Sequence, residues 1–543
     1  MNYVIGIDVG TGSVRGALFT EKGKLEKLAT QRITTWNPKE QFYQQSSDEI
    51  WSACCTVIKQ LIIGISIENI KGLGFDATAS VVVIDTEGNS LSVNVGDENT
   101  QNVILWMDHR AEKEARIINT TEHPLLNNSG GKISVESMIP KLLWLKNNHS
   151  KCWESSGYFF LLPDFLTWKA TGQDSRSLCC VIGKCNYQCS PELSQWNYEF
   201  FESIGLGELR NENWKKIGSQ IITPGKLCGK LTSKAAKDTG LLPGTPVGAS
   251  LIDAHAGGIG MLGCSSEDVS SDFTTRVGSL AMICGTSTCH MTQTKEDIYV
   301  GGLWGPYYSA MVPNMWLLAG GQSVSGKLID HIIDMHPASS LIKIKCQNLN
   351  VAEYLDCLLN RITTERGLNN VDELTNNLHV WPDFHGNRSP LADSSIRGMI
   401  HGLTLNVDEE NLALLYLATI QALVYSTKFI IDTMKKAGHH TMESIFICGG
   451  LSKNKLFVKT HANAIGLKVL VPEQEESVLL GAAELGATAA GIYPNLQQAM
   501  LNMAGAAKVE MPNLNVNKYH EKKYEVFLKM LKHQIRCKLI MES

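Results

Sequence analysis

The chain carries no surplus of positive charge: 49 lysines and arginines stand against 54 aspartates and glutamates, a formal net charge of −5 over 543 residues. That leaves no electrostatic footprint for nucleic acid. The basic run of the tail (Lys518, His520, Lys522, Lys523) alternates with acids and aromatics, the pattern of a solvated helix face. No secretory leader is expected either: the first apolar stretch has no basic flank and stops at Asp8, so the mature chain is expected to start at or near Met1. No apolar run is clean enough for a membrane span. The best of them, 412–431, is broken by Gln421 and Lys428 and follows Asp408, Glu409 and Glu410, which points to a buried helix. Cysteine is plentiful at 15, yet paired spacing is lacking even in the densest set (Cys179, Cys180, Cys185, Cys189), and Cys284 and Cys448 sit in apolar strands as small hydrophobes do. Low-complexity sequence is also absent. This composition agrees with a soluble enzyme, expected in the cytoplasm as a monomer or homodimer and without a nucleic-acid or membrane partner; at this length two domains are the natural expectation.

What is present is a phosphate-binding pattern. In Ile5-Gly6-Ile7-Asp8-Val9-Gly10-Thr11-Gly12-Ser13-Val14-Arg15, an apolar strand (Tyr3, Val4, Ile5, Ile7) runs into an acid, two glycines and two hydroxyls. Asp8 at the strand end is placed to hold hydrated Mg²⁺, Gly10 and Gly12 free backbone N–H groups to face an anion, and Thr11 and Ser13 add donors. Met282-Ile283-Cys284-Gly285-Thr286-Ser287-Thr288 repeats the pattern, which implies a second, similar domain. A third glycine turn follows a buried strand at Ser444-Ile445-Phe446-Ile447-Cys448-Gly449-Gly450-Leu451-Ser452-Lys453-Asn454, where bare backbone admits a flat ligand and the next helix start favours negative charge. Each turn alone reads equally as an ordinary tight turn; three in a row carry the nucleotide reading. One near match is rejected: Gly321-Gln322-Ser323-Val324-Ser325-Gly326-Lys327-Leu328 lacks the final hydroxyl and leads into an amphipathic pattern (Leu328, Ile329, Ile332, Ile333), so it reads as a helix start.

Asp253, in Ala249-Ser250-Leu251-Ile252-Asp253-Ala254-His255-Ala256-Gly257, is a single acid among small residues after an apolar strand. Small neighbours let a substrate approach, which makes Asp253 the candidate proton acceptor; a buried or turn-capping aspartate is the alternative reading.

Together with Gly74-Phe75-Asp76-Ala77-Thr78-Ala79-Ser80, Trp106-Met107-Asp108-His109-Arg110 and Gly386-Asn387-Arg388-Ser389-Pro390, these blocks resemble the FGGY carbohydrate kinase family over almost the whole chain. The resemblance implies an α/β fold of two duplicated actin-like, ribonuclease H-like ATPase domains with the active site in the cleft between them. It implies ATP and Mg²⁺ as cofactors, with Asp253 as general base and Asp8 as the metal ligand. Phosphate and nucleotide contacts would come from Asp8, Gly10, Thr11, Gly12, Ser13, Arg15, Gly285, Thr286, Ser287, Gly449, Gly450 and Asn454. Sugar contacts would come from Asp76, Ala77, Thr78, Ala79, Trp106, Arg110, Glu136, Lys184 and Asp253, while Arg388 would be structural. The Phe-Asp-Ala-Thr-Ala-Ser loop looks most like the pentulose and pentitol branch, which implies a ketopentose substrate, D-ribulose going to D-ribulose 5-phosphate. L-ribulose, D-xylulose and ribitol remain open. Ala319 departs from the glutamate that related pentulose kinases tend to carry there, so a weak, regulatory or scaffolding nucleotide-binding protein is the second reading.

The expected organisation is a first domain over 1–262, a second over 263–493, and a helical extension over 494–543 that packs back on the core. The polar, acidic stretch 265–279 is the expected linker, and 348–378 the expected inserted helices.

Overall fold

A computed structural model describes residues 1–94, 100–266, 273–346, 350–439 and 442–542. Two compact units emerge. The first comprises Met1–Val277, Gln293–Leu318 and Glu476–Ala506; the second comprises Gly278–Thr292, Ala319–Glu475 and Ala507–Ser543.

In the first unit the main sheet begins as an antiparallel meander of Tyr3–Val9, Ser13–Thr20 and Leu25–Arg32. The strand Ile70–Ala77 runs parallel to the first, and Pro246–Gly248 and Leu251–Ile252 run parallel to Ile70–Ala77. Helix Ser47–Leu61 packs against this sheet. Its buried Ile50, Cys54, Val57, Ile58 and Leu61 recur at helical spacing, and Ser46 caps its start by accepting from the Glu49 N–H.

The contiguous domain boundaries expected from the sequence differ from this division, because helix Ser477–Ala489 returns to the first unit. The physical reason is close packing of backbone on backbone: a Cβ at Gly6 or Gly74 would collide with the Leu479 or Ala482 carbonyl oxygen of that helix. Glycine on the strands and Ala482, Ala483 and Gly486 on the helix let the two approach, and Gly481 does the same towards Ala256 of helix Asp253–Leu262.

The second unit repeats the plan. Leu280–Cys284 and Thr288–Thr294 form the hairpin, Ser444–Cys448 runs parallel to its first strand, and Lys468–Pro472 runs parallel to Ser444–Cys448. Helix Glu409–Lys436 is the apolar run 412–431 seen in the sequence, and it is a largely buried helix of this unit. Helix Val351–Glu365 and a short 3₁₀ turn at Val371–Thr375 occupy the expected insertion; residues 348 and 349 lie outside the described residues. Residues 267–272 of the expected linker, including Glu267, Asp268 and Asp272, lie outside them too.

The tail corrects one reading. Helix Asn517–Glu542 packs into the second unit with two residues of the run inward: His520 and Lys523 are 1% and 5% exposed, while Lys518 and Lys522 stay exposed as expected. His520 Nε2 lies 3.2 Å from Asp372 Oδ1, and Lys523 Nζ donates to the Thr375 and Leu378 carbonyls at 2.8 and 2.6 Å. The alternation of charge with aromatics is therefore a docking face, anchored by Phe527 stacked on Trp381 with ring centroids 4.3 Å apart.

Candidate active site

Three carboxylates meet at the carboxyl ends of the parallel strands in the first unit. Asp8 pairs with Asp76 across the strand register, and Ile252, paired with Ala77, hands the chain to Asp253 at the first position of helix Asp253–Leu262. Asp253 Oδ1 accepts from the Ala254 N–H at 2.6 Å, which fixes its carboxyl at the helix start. Asp8 and Asp76 are 7% and 0% exposed.

Burial acts on all three, and neighbouring carboxylates add to it at Asp8 and Asp76. Burial and the Asp253 charge push Asp8 up to about 6, against opposition from Arg15 and from its hydrogen bond with Asp76. Asp76 is held well above the usual carboxylate range by burial first and then by Asp8 and Asp253. Asp253 is raised by burial and lowered by the Ala254 N–H and Lys184. Such concentrated negative charge, opposed in part by Arg15 and Lys184, with both Asp76 carboxyl oxygens buried and without a hydrogen-bond donor, suits a divalent cation.

The hairpin beside them has the expected form. Gly10 N–H donates to the Ser13 carbonyl at 3.0 Å to close the turn, and the Gly12 Cβ position is open, with no atom within 4 Å. Thr11 is tied back: its hydroxyl accepts from the Trp106 indole at 3.1 Å and its carbonyl from Gln45 Nε2 at 2.7 Å. The loop Asp76-Ala77-Thr78-Ala79 is buried, with Thr78 N–H donating to the Val9 carbonyl and Thr78 and Ser80 hydroxyls 3.0 Å apart. Lys184 lies 5.5 Å from the Trp304 ring centroid and is near enough to act on both Asp253 and His255. Glu136 is half-buried at the start of the segment leading into helix Met138–Asn148.

Three predicted contacts are employed otherwise. Arg110 has a fully buried side chain whose Nε and Nη2 donate to Asp108 at 2.9 and 2.8 Å and whose Nη1 donates to the Val93 carbonyl at 3.0 Å. It lies over the Phe42 and Trp144 rings, so it frames the loop and presents no donor to a sugar. Arg15, opposite Asp8 in the hairpin, is ion-paired to Glu476. Asn454 caps helix Lys455–Ile465 by accepting from the Phe457 N–H, and its Nδ2 donates to the Tyr416 hydroxyl at 2.7 Å.

In the second unit the turn Gly285-Thr286-Ser287 mirrors the first, with Gly285 N–H donating to the Ser287 carbonyl at 2.9 Å. The rejected glycine run is a strand, Trp316–Gln322, followed by helix Gly326–Met335; Gly326 N–H and Ser325 N–H donate to the Gly285 and Thr286 carbonyls. Gly449 adopts φ +89°, which a side chain would strain, and its Cβ would strike the Cys284 backbone, whereas Gly450 faces open space. Ala319 is buried in the strand Trp316–Gln322.

Sequence reasoning passed over Lys141. It stands alone in the apolar run Met138-Ile139-Pro140-Lys141-Leu142-Leu143-Trp144-Leu145, and that isolation was the available signal. It is fully buried, with Nζ donating to the Leu105 and Trp106 carbonyls at 2.6 and 3.1 Å. Burial pulls its amine down to about 7, while Asp108 and Glu136 hold it up and Lys184 and Arg110 push it lower.

Two units sharing one strand plan, each led by a glycine-hydroxyl hairpin, place the molecule in the ribonuclease H-like ATPase fold class. Models of the N- and C-terminal domains of the FGGY family of carbohydrate kinases match residues 3–260 and 280–490. The chain belongs to that family. It is 48% identical over 556 residues to an FGGY carbohydrate kinase domain-containing protein of Homo sapiens, covering 100% of this chain and 98% of that one. It is 37% identical over 514 residues to a D-ribulokinase of Saccharomyces cerevisiae, covering 90% of this chain and 72% of the other. Among solved structures, a xylulose kinase from Rhodospirillum rubrum aligns with TM-score 0.80 at 16% identity, covering 98% of this chain and 99% of that one. A Plasmodium falciparum glycerol kinase with ADP aligns at 0.75 and 17%, covering 98% of each. At such identities the likeness is one of fold.

Proposed function

We propose that this carbohydrate kinase transfers the γ-phosphoryl group of ATP to the 5-hydroxyl of a free ketopentose, D-ribulose, giving D-ribulose 5-phosphate and ADP in the cytoplasm. The observation that carries the reading is the convergence of Asp8, Asp76 and Asp253 at adjacent strand ends. The D-ribulokinase named among its relatives supports the choice of sugar.

Phosphoryl transfer asks little of a protein beyond position and charge. Asp253, held by the Ala254 N–H and surrounded by small residues, receives the proton of the sugar hydroxyl as its oxygen bonds to phosphorus and the bridging oxygen leaves with ADP. Asp8 would hold Mg²⁺ through water, and the ion, when bound, neutralises phosphate charge. Gly10, Gly12 and the Ser13 hydroxyl border the phosphates in the first unit; the second unit carries the corresponding turn, Gly285-Thr286-Ser287. Asp76, Ala77, Thr78, Ala79, Trp106, Glu136 and Lys184 remain the sugar-contacting candidates beside Asp253, since only Arg110 is consumed, by Asp108.

The test is ADP release with Mg-ATP over D-ribulose, L-ribulose, D-xylulose, ribitol and glycerol, alongside Asp253→Asn. Turnover greatest on D-ribulose and reduced by roughly 10² to 10⁴ in the variant, with nucleotide affinity retained, is the expected result. Nucleotide binding without turnover on any sugar would instead favour the regulatory reading raised by Ala319.

A further inference from the structure

We propose that Lys141 is a positioning residue that locks the Leu105–Trp106 turn and so holds the Trp106 indole against the phosphate hairpin. The inference rests on the kinase reading, in which Trp106 borders the sugar.

Trp106 is held at three points by three different elements. Its backbone N–H donates to Ser80 Oγ at 3.2 Å, its indole N–H to Thr11 Oγ1 at 3.1 Å, and its carbonyl accepts from Lys141 Nζ at 3.1 Å. Ser80 closes the loop that begins at Asp76, and Thr11 lies in the turn that begins after Asp8. Lys141 also takes the preceding carbonyl, Leu105, at 2.6 Å, so one ammonium clamps two consecutive peptide units. A methionine or leucine would suit the apolar run of helix Met138–Asn148 without the desolvation that a buried ammonium suffers. What the lysine adds is directed donors on the turn. Asp108 and Arg110, two and four residues beyond Trp106, brace the same segment through their buried pair, so the turn has a rigid far side and depends on Lys141 on its near side.

The experiment combines Lys141→Met, Trp106→Phe and their double variant, read by sugar KM, ATP KM and kcat, with amide hydrogen exchange of 104–110 in the ligand-free protein. Because the two residues act through one bond chain, the effects should not multiply: each single variant raises sugar KM about tenfold, ATP KM moves less than about twofold, and the double variant stays within about twofold of the worse single. Exchange over 104–110 should quicken about tenfold in Lys141→Met. Unchanged sugar KM, multiplicative effects, or unchanged exchange would each overturn the proposal. Should Lys141→Met fail to fold, Thr11→Val, at the partly exposed far end of the same chain of bonds, decides: a raised sugar KM supports the clamp and an unchanged one refutes it. If the wild-type protein turns over no sugar, the kinase reading fails, and the exchange comparison alone then judges the clamp.

Discussion

Asp8 and Asp76 stand directly opposite each other on parallel strands, two buried carboxylates in one register step. Like charges so placed cannot both ionise freely without a cation, and the Asp76 oxygens have no donor to compensate them. Asp76→Asn removes the repulsion while keeping the shape. The expected outcome is opposite movement of stability and function: the metal-free protein gains about 1 kcal/mol, read as a rise in Tm, while ADP release falls at least about tenfold. A variant both less stable and fully active would separate Asp76 from the carboxylate cluster.

The two glycines at 449 and 450 make a matched pair for testing the nucleotide turn. Gly449 is required by the backbone, since its φ of +89° and the nearby Cys284 main chain leave no room for a Cβ. Gly450 has nothing within 4 Å of its Cβ position, so a side chain there meets only what binds. Gly450→Val should leave Tm nearly unchanged and weaken ATP binding about tenfold through steric exclusion, whereas Gly449→Val should cost on the order of 1 to 3 kcal/mol in stability from backbone strain alone. Titration calorimetry with ATP, run beside thermal unfolding, distinguishes the two.

Arg15 offers a third test. Its guanidinium is bound to Glu476, the residue just before helix Ser477–Ala489, and both side chains are partly exposed, so the pair contributes little to stability. Glu476→Gln should therefore shift Tm by less than about 1 kcal/mol equivalent, yet free Arg15 for anions and lower the KM for ATP. An unchanged KM would mean that Arg15 does not reach the phosphates in either state.

Much of this architecture was legible in the sequence because it is local. An apolar strand, a glycine turn and a hydroxyl lie within ten residues, and the hairpins at Gly10 and Gly285 close through bonds between near neighbours. The assignments that changed depend on partners far away in the chain. Arg110 reads as a sugar ligand until the Phe42 and Trp144 rings and the Val93 carbonyl enclose it, and Asn454 reads as a ligand contact until Tyr416 claims its amide. The return of helix Ser477–Ala489 to the first unit is written in Gly6, Gly72 and Gly74, but only the close approach of backbone to backbone reveals their purpose. Lys141 was missed for a similar reason: a cation in an apolar run declares itself only through the carbonyls it finds.

The tail supplies the last prediction, in which a pH dependence follows from burial. Lys523 is 5% exposed, donates to the Thr375 and Leu378 carbonyls, and is pulled by burial to about 7 from an ordinary value of 10.5. Between those two values the unfolded chain holds a proton that the folded chain has released, so stability rises with pH across that window, by at most about 1.4 kcal/mol per pH unit from this residue. Lys141, pulled to about 7 in the other unit, adds in the same direction. Lys523→Met removes the first contribution: the variant's Tm between pH 7 and 9 should climb less than that of the wild-type protein. Parallel curves over that range would mean that Lys523 keeps its proton in the folded chain, and its docking against the two carbonyls would then be that of an ammonium throughout.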